Sequence, residues 1–118
     1  MNPLLHEGEY VFCPLEGNIK IDISHVLGSL KEEEGITIKI KKRVADEMKL
    51  TYSFVSSWIT LQVHSSMEAV GLTAAFSRAL SVAGISCNVI AAFYHDHIFV
   101  PVNDKLRAME TLTRLSQY

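Results

Sequence analysis

From Trp58 to Val63 the chain alternates Ile59, Leu61 and Val63 with Thr60 and Gln62, and a few residues later the period changes. Leu72, Ala75, Phe76, Ala79, Leu80 and Ala83 then recur at helical spacing, with Thr73, Ser77, Arg78 and Ser81 on the other side. A switch from period two to period 3.6 is a strand feeding a helix. The strand is long, because the aromatic and β-branched run "YSFVSSWITLQV" extends it back to Tyr52. Gly84 stands where a C′ residue ends a helix. Beyond it, "ISCNVIAAF" and "HIFVPV" are two further strands separated only by "YHD", and so form a hairpin. In "NDKLRAMETLTRLSQY", Leu106, Met109, Leu112 and Leu115 return to helical spacing, with Asn103 or Asp104 as the cap. The order β-α-β-β-α is the ferredoxin-like split βαβ pattern without its final strand.

The amino-terminal half is less regular. "EYVFCPL" reads as a strand, "KEEEG" as a charged turn, and "ITIKI" alternates Ile36, Ile38 and Ile40 against Thr37 and Lys39. "KKRVADEMK" is a short helix candidate. No Pro/Gly/Ser linker separates the halves, so they are expected to share a continuous or closely packed sheet, as two tandem units of an α+β fold. The division is placed at residues 1–54, a degenerate unit, and 55–118, the more regular one.

Composition removes several classes of function. The 118 residues are 48% hydrophobic, enough to bury a core, and 11 Lys+Arg against 13 Asp+Glu give a formal charge of −2. That balance lacks the basic field of a nucleic-acid binder, and no nucleic-acid partner is expected. No stretch has the apolar length of a membrane span and "MNPLLHEGEY" does not resemble a signal peptide, so a cytoplasmic chain without membrane partners is expected. Cys13 and Cys87 each lie in an apolar run and far apart, which makes them buried free thiols.

The topology gathers a candidate site. In a βαβ unit the two strands are parallel, so the loop after Val63 and the turn at "YHD" leave the sheet at one rim. His64, Ser65, Ser66, His95, Asp96 and His97 would line that rim, beside the amino terminus of the helix that begins near Gly71. Free N–H groups and partial positive charge there suit a carboxylate. Gly71 fits a close backbone approach, to ligand or to a neighbouring strand. Ser65 and Glu68 also fit a capping box, which would start the helix near Ser66 and put Gly71 in its second turn. His95 and His97, two apart, would face one side of a strand and could chelate a metal, but nothing fixes further ligands. The favoured reading is a hairpin tip turned by the Asp96 side chain between solvated histidines, with no metal and no cofactor. No nucleophile elbow or glycine-rich phosphate loop is present, and the basic run "IKIKKR" reads as a solvated strand face offset by Glu32, Glu33 and Glu34.

Over most of its length the chain resembles the ACT-domain family, particularly small bacterial ACT proteins related to amino-acid-sensing modules. The stretch "EAVGLTAAFSRALSVAGISCNVI" carries the specific part of the resemblance, with a glycine opening the helix and "AGI" leading into the second strand. "GEYVFCPL" and "EEEGITIKI" resemble the first half of the same proteins. The resemblance implies a ferredoxin-like βαββαβ fold and a non-enzymatic, regulatory module. It also implies a homodimer and an amino-acid ligand bound at an interface between ACT units. By position, the ligand would meet Ser65, Ser66, Glu68, Val70, Gly71 and Leu72, with Asp96 across the rim. Many ACT domains carry an acidic or amide residue and a proline just before the glycine, whereas this chain has "EAVG". The alternative is a homodimeric assembly module without ligand.

Overall fold

The period change at Trp58–Gly84 does produce a strand and a helix, and around them the computed structural model builds, among the described residues, seven strands and three α-helices. It describes residues 2–62 and 71–116. The strands are β1 (Asn2–Leu5), β2 (Tyr10–Leu15), β3 (Gly28–Lys31), β4 (Ile36–Lys41), β5 (Val55–Gln62), β6 (Asn88–Ala91) and β7 (Asp96–Pro101). The helices are α1 (Lys42–Glu47), α2 (Leu72–Val82) and α3 (Lys105–Leu115). These elements fall into two compact units, one of residues 8–56 and one of residues 1–7 together with 57–118. The first seven residues thus belong with the later unit.

In the first unit, β2 pairs antiparallel with β4 from Tyr10↔Lys41 to Leu15↔Ile36, and β3 pairs with the other edge of β4. Val55 and Ser56, the start of β5, pair with Val11 and Tyr10, and the Ser56 hydroxyl donates to the Tyr10 carbonyl at 2.8 Å. Strand alternation turns Val11, Cys13, Ile38 and Ile40 to one side, where Val44 and Ala45 of α1 close a small core. The "KEEEG" turn is real: Glu32 and Gly35 exchange backbone hydrogen bonds at 2.8 and 3.2 Å, and Gly35 has φ 151°. Half of the basic run is not strand. Lys42 and Arg43 open α1 and pair with Asp46 and Glu47 at 2.9 and 3.4 Å, while Lys39 sits 5.0 Å over the Phe12 ring.

In the second unit the strand order is β1-β5-β7-β6, with α2 and α3 on one face. The strand that the sequence pattern lacked is β1, which lies antiparallel on β5 from Asn2↔Gln62 to Leu5↔Ile59. The fold is therefore the complete ferredoxin-like arrangement, its last strand supplied by the chain's beginning. Ile59, Leu61, Ile98 and Val100 point to the helices and pack with Phe76, Leu80, Ala108 and Leu112, all fully buried. Gly84 ends α2 as expected: Ile85 N–H bonds the Leu80 carbonyl and Gly84 N–H the Ser81 carbonyl, both at 2.9 Å, with Gly84 at φ 75°. Asp104 stands at the start of α3 but does not cap it; its carboxylate takes the Arg107 guanidinium at 2.8 Å. The buried stripe of α3 runs through Ala108 and Leu112, and Leu106 is 72% exposed. Cys13 is buried and Cys87 half-buried, both free, and burial pushes both thiols up. No described helix is long and apolar enough to cross a membrane.

Candidate functional site

The rim picked out from topology is the edge of the second unit where β5 ends and β7 begins. Asn2 of β1 and Gln62 of β5 mark it on one side, their side-chain amides hydrogen-bonded at 3.2 Å. On the other side the β6–β7 hairpin closes with Ala91↔Asp96 as its last pair. Its turn is Ala92–His95, held by the Ala92 N–H on the His95 carbonyl at 3.1 Å, and its tip is Phe93 and Tyr94, 92% and 82% exposed. Asp96 is consequently the first residue of β7, half-buried, and does not make the turn. Neither are its neighbours solvated: His95 and His97 are both half-buried. Among the described residues no three His, Cys, Asp or Glu side chains gather as metal ligands.

Gly71 is the N-cap of α2 in the left-handed region, at φ 74° and ψ 1°, and is exposed. It therefore precedes the helix, and the expectation that a capping box would bury it in the second turn does not hold. A Cβ built on Gly71 would meet nothing within 4 Å, so the glycine is there for its backbone angle and not for a close approach by a neighbouring strand. Gly71→Ala should accordingly cost about 1–2 kcal/mol, the strain of an L-residue in that region, with no steric clash. A urea titration of the variant reads this directly, and an unchanged midpoint would contradict the assigned backbone angle. Leu72, the first helical residue, is half-buried and packs against the core. Ser65, Ser66, Glu68 and Val70, with His64, lie outside the described residues.

Gly71 thus opens α2 and Asp96 opens β7. Gly71, as the N-cap of α2, has no side chain with which to cap the first N–H groups of that helix. With the positive end of the helix dipole they favour a small anion. Asp96 supplies the opposite sign. Such a pair of charges can hold a zwitterion.

One group on this unit was not assembled from the sequence. His97, paired in the sequence reading with His95, instead faces Trp58 and Thr60 of β5, and His6, just past β1, completes the group. A tryptophan and a threonine on the polar phase of a long strand were the available signal. His6 could not join them while β1 was unrecognised.

Comparison with known proteins agrees with this geometry. An ACT-domain family model matches residues 53–114, and a second ACT-domain model matches residues 1–57. No curated protein matches the chain. Among solved structures, a Vibrio cholerae protein of unknown function, described as a possible transport protein, is similar. It is 43% identical, with 97% of this chain and 88% of that one covered and a TM-score of 0.87. An Agrobacterium tumefaciens protein shares the fold at 18% identity, 97% and 87% coverage and TM-score 0.76. A putative C-terminal regulatory domain of aspartate kinase from Porphyromonas gingivalis does so at 16% identity, 95% and 94% coverage and TM-score 0.61. With family models covering both halves of the chain and a relative at 43% identity along nearly all of it, this protein belongs to the ACT-domain family as two tandem ACT units.

Proposed function

We propose that the chain is a non-catalytic sensor that binds a free amino acid at the rim of the second unit and acts as a homodimer. ACT domains are regulatory, ligand-binding modules, which is the part of this reading that membership of the family carries. The observation that supports the rest is the left-handed Gly71 that opens α2, and the Asp96 carboxylate that opens β7 supplies the opposite charge. The α-carboxylate would take the N–H groups of the first helical turn. The ammonium would face Asp96 or Glu68, and Ser65, Ser66, Val70 and Leu72 would border the side chain.

The test is a thermal-shift screen of the full chain against the standard amino acids, with chelator and divalent metals as controls. A ligand at 100 times its dissociation constant should add about 2.7 kcal/mol. The expected result is an upward shift with one amino acid that Gly71→Trp or Asp96→Asn removes while the variant still folds. Light scattering with and without that ligand reads the dimer. A flat response to every amino acid would overturn the sensor reading and leave an assembly module.

A further inference from the structure

In the second unit the sheet face away from the helices carries a hydrogen-bonded set that the ligand reading does not use. Alternation puts Trp58 and Thr60 of β5 and His97 of β7 on that face, since Ile59, Leu61 and Ile98 fill the helix-side core. The His6 ring stacks on the Trp58 indole, with centroids 3.5 Å apart and planes 10° from parallel. His6 Nε2 lies 2.7 Å from Thr60 Oγ1, and Thr60 Oγ1 lies 3.0 Å from His97 Nδ1. The indole N–H of Trp58 reaches that same Nδ1 at 3.1 Å.

We propose that His6, Thr60, His97 and Trp58 form a proton-sensitive fastening, which holds β1 on the sheet while His97 is neutral and loosens it when His97 takes a proton.

The directions of the hydrogen bonds follow from what each group can do. An indole N–H only donates, so the nitrogen facing it, His97 Nδ1, carries no hydrogen. The proton of neutral His97 is then on Nε2. Thr60 donates its hydroxyl hydrogen to His97 Nδ1 and accepts from His6 Nε2–H. All the donors in the set point one way, from His6 through Thr60 to His97, with the indole converging on the same acceptor. The only place for a further proton on His97 is Nδ1, against both donors. Adding it sets that hydrogen against the indole N–H and ends the donation of the Thr60 hydroxyl to this nitrogen. Protonation of His6, by contrast, falls on Nδ1 and leaves Nε2–H donating, so the sensing atom is on His97.

The surroundings fix the sign. His95, on the same side of β7 with its ring centroid 6.4 Å from that of His97, opposes a second positive charge, and Asp96 favours one. Glu7 follows His6 in the chain, and β1, β5 and β6 bring no titratable side chain. Burial first, then His95, hold the His97 imidazole below its ordinary 6.5 against the pull of Asp96. Burial and then His97 do the same to His6. The folded chain therefore resists protons that the unfolded chain accepts. This contribution to stability is complete above the ordinary 6.5 and is lost as pH falls from there through the lower folded values. The strand at stake is β1, whose last paired residue, Leu5, directly precedes His6.

Trp58 is the chain's single tryptophan, so its fluorescence reports on this set alone. In urea titrations from about pH 7.5 to about pH 5.5, the unfolding constant should rise up to about tenfold per pH unit for each resisting imidazole. His97→Gln keeps an acceptor for the indole but takes no proton, and should weaken that dependence to the share of His6, while His95→Gln, which removes one of the charges opposing His97, should weaken it less and His25→Gln should leave it unchanged. Amides of Leu4 and Leu5, corrected for intrinsic exchange, should lose protection at the acid end in the parent chain and not in His97→Gln. Imidazole 15N shifts of the unaltered protein at neutral pH should show the Nε2–H form for both His6 and His97. This last measurement needs no variant and stands even if His97→Gln fails to fold. An Nδ1–H form at His97 would overturn the proposal, as would a pH dependence unchanged by His97→Gln.

Discussion

A chain lacking residues 1–7 should lose about 3–5 kcal/mol of stability in its second unit and should aggregate. Three losses add. The first is the β1 ladder, Asn2↔Gln62 through Leu5↔Ile59, whose backbone hydrogen bonds contribute about 0.5–1.5 kcal/mol each. The second is Leu5, which packs against the core of β5, β7, α2 and α3 and is worth up to about 1.5–3 kcal/mol when fully buried. The third is the His6 stack on Trp58, about 0.5–1.5 kcal/mol beyond its area. Ordering entropy recovered by the deleted segment offsets part of this sum. What remains is an open β5 edge, a row of unpaired N–H and C=O groups that invites another strand. Urea midpoints from Trp58 fluorescence, with light scattering, measure both effects. His6→Ala separates the stack from the strand and should account for only the smaller share. A midpoint unmoved by the truncation would mean that the second unit holds its sheet without β1.

That strand also marks where sequence reasoning stopped. β5, α2, β6, β7 and α3 were legible because each has a clear period and a terminator, and the Gly84 end of α2 forms the very pair of hydrogen bonds a C′ glycine predicts. β1 and β3 carry neither signal. Both are four residues long, β1 contains Pro3, β3 begins at Gly28, and neither buries a complete face. Their conformation is imposed by the longer strands they pair with, and proline is tolerated in β1 because it lies at a sheet edge. The ferredoxin-like pattern was nevertheless readable as one strand short, and a missing strand demands a donor that local pattern cannot identify. The site follows the same division. Gly71 was legible as the glycine that opens the helix, whereas the turn was set too late in its register, at Asp96 instead of Ala92–His95. His97 was misjudged for a related reason, since its partners Trp58, Thr60 and His6 come from elements 37 or more residues away.

Phe76→Ala should destabilise the second unit by about 3–5 kcal/mol, comparable to the whole of β1. Phe76 is fully buried on the inner face of α2 and sits among Ile59, Leu61, Leu80, Ile98 and Leu112. Truncation removes the transfer free energy of the ring and leaves a cavity which side chains fixed on two strands and two helices can only partly fill. Leu106→Ala makes the informative contrast. Sequence spacing puts Leu106 in the same apolar series as Leu112, but with 72% of it exposed its truncation should stay within about 0.5 kcal/mol. The two residues differ in whether the helix turns them to the sheet, which a repeat of i, i+3, i+3 leaves ambiguous because it drifts round the helix, whereas Ala108 and Leu112 at i, i+4 define the face that packs. Chemical denaturation followed by Trp58 fluorescence measures both variants on one probe. Equal losses for Phe76→Ala and Leu106→Ala would mean that α3 presents a different face to the core, and with it that the helix layer over β5 and β7 is misassigned.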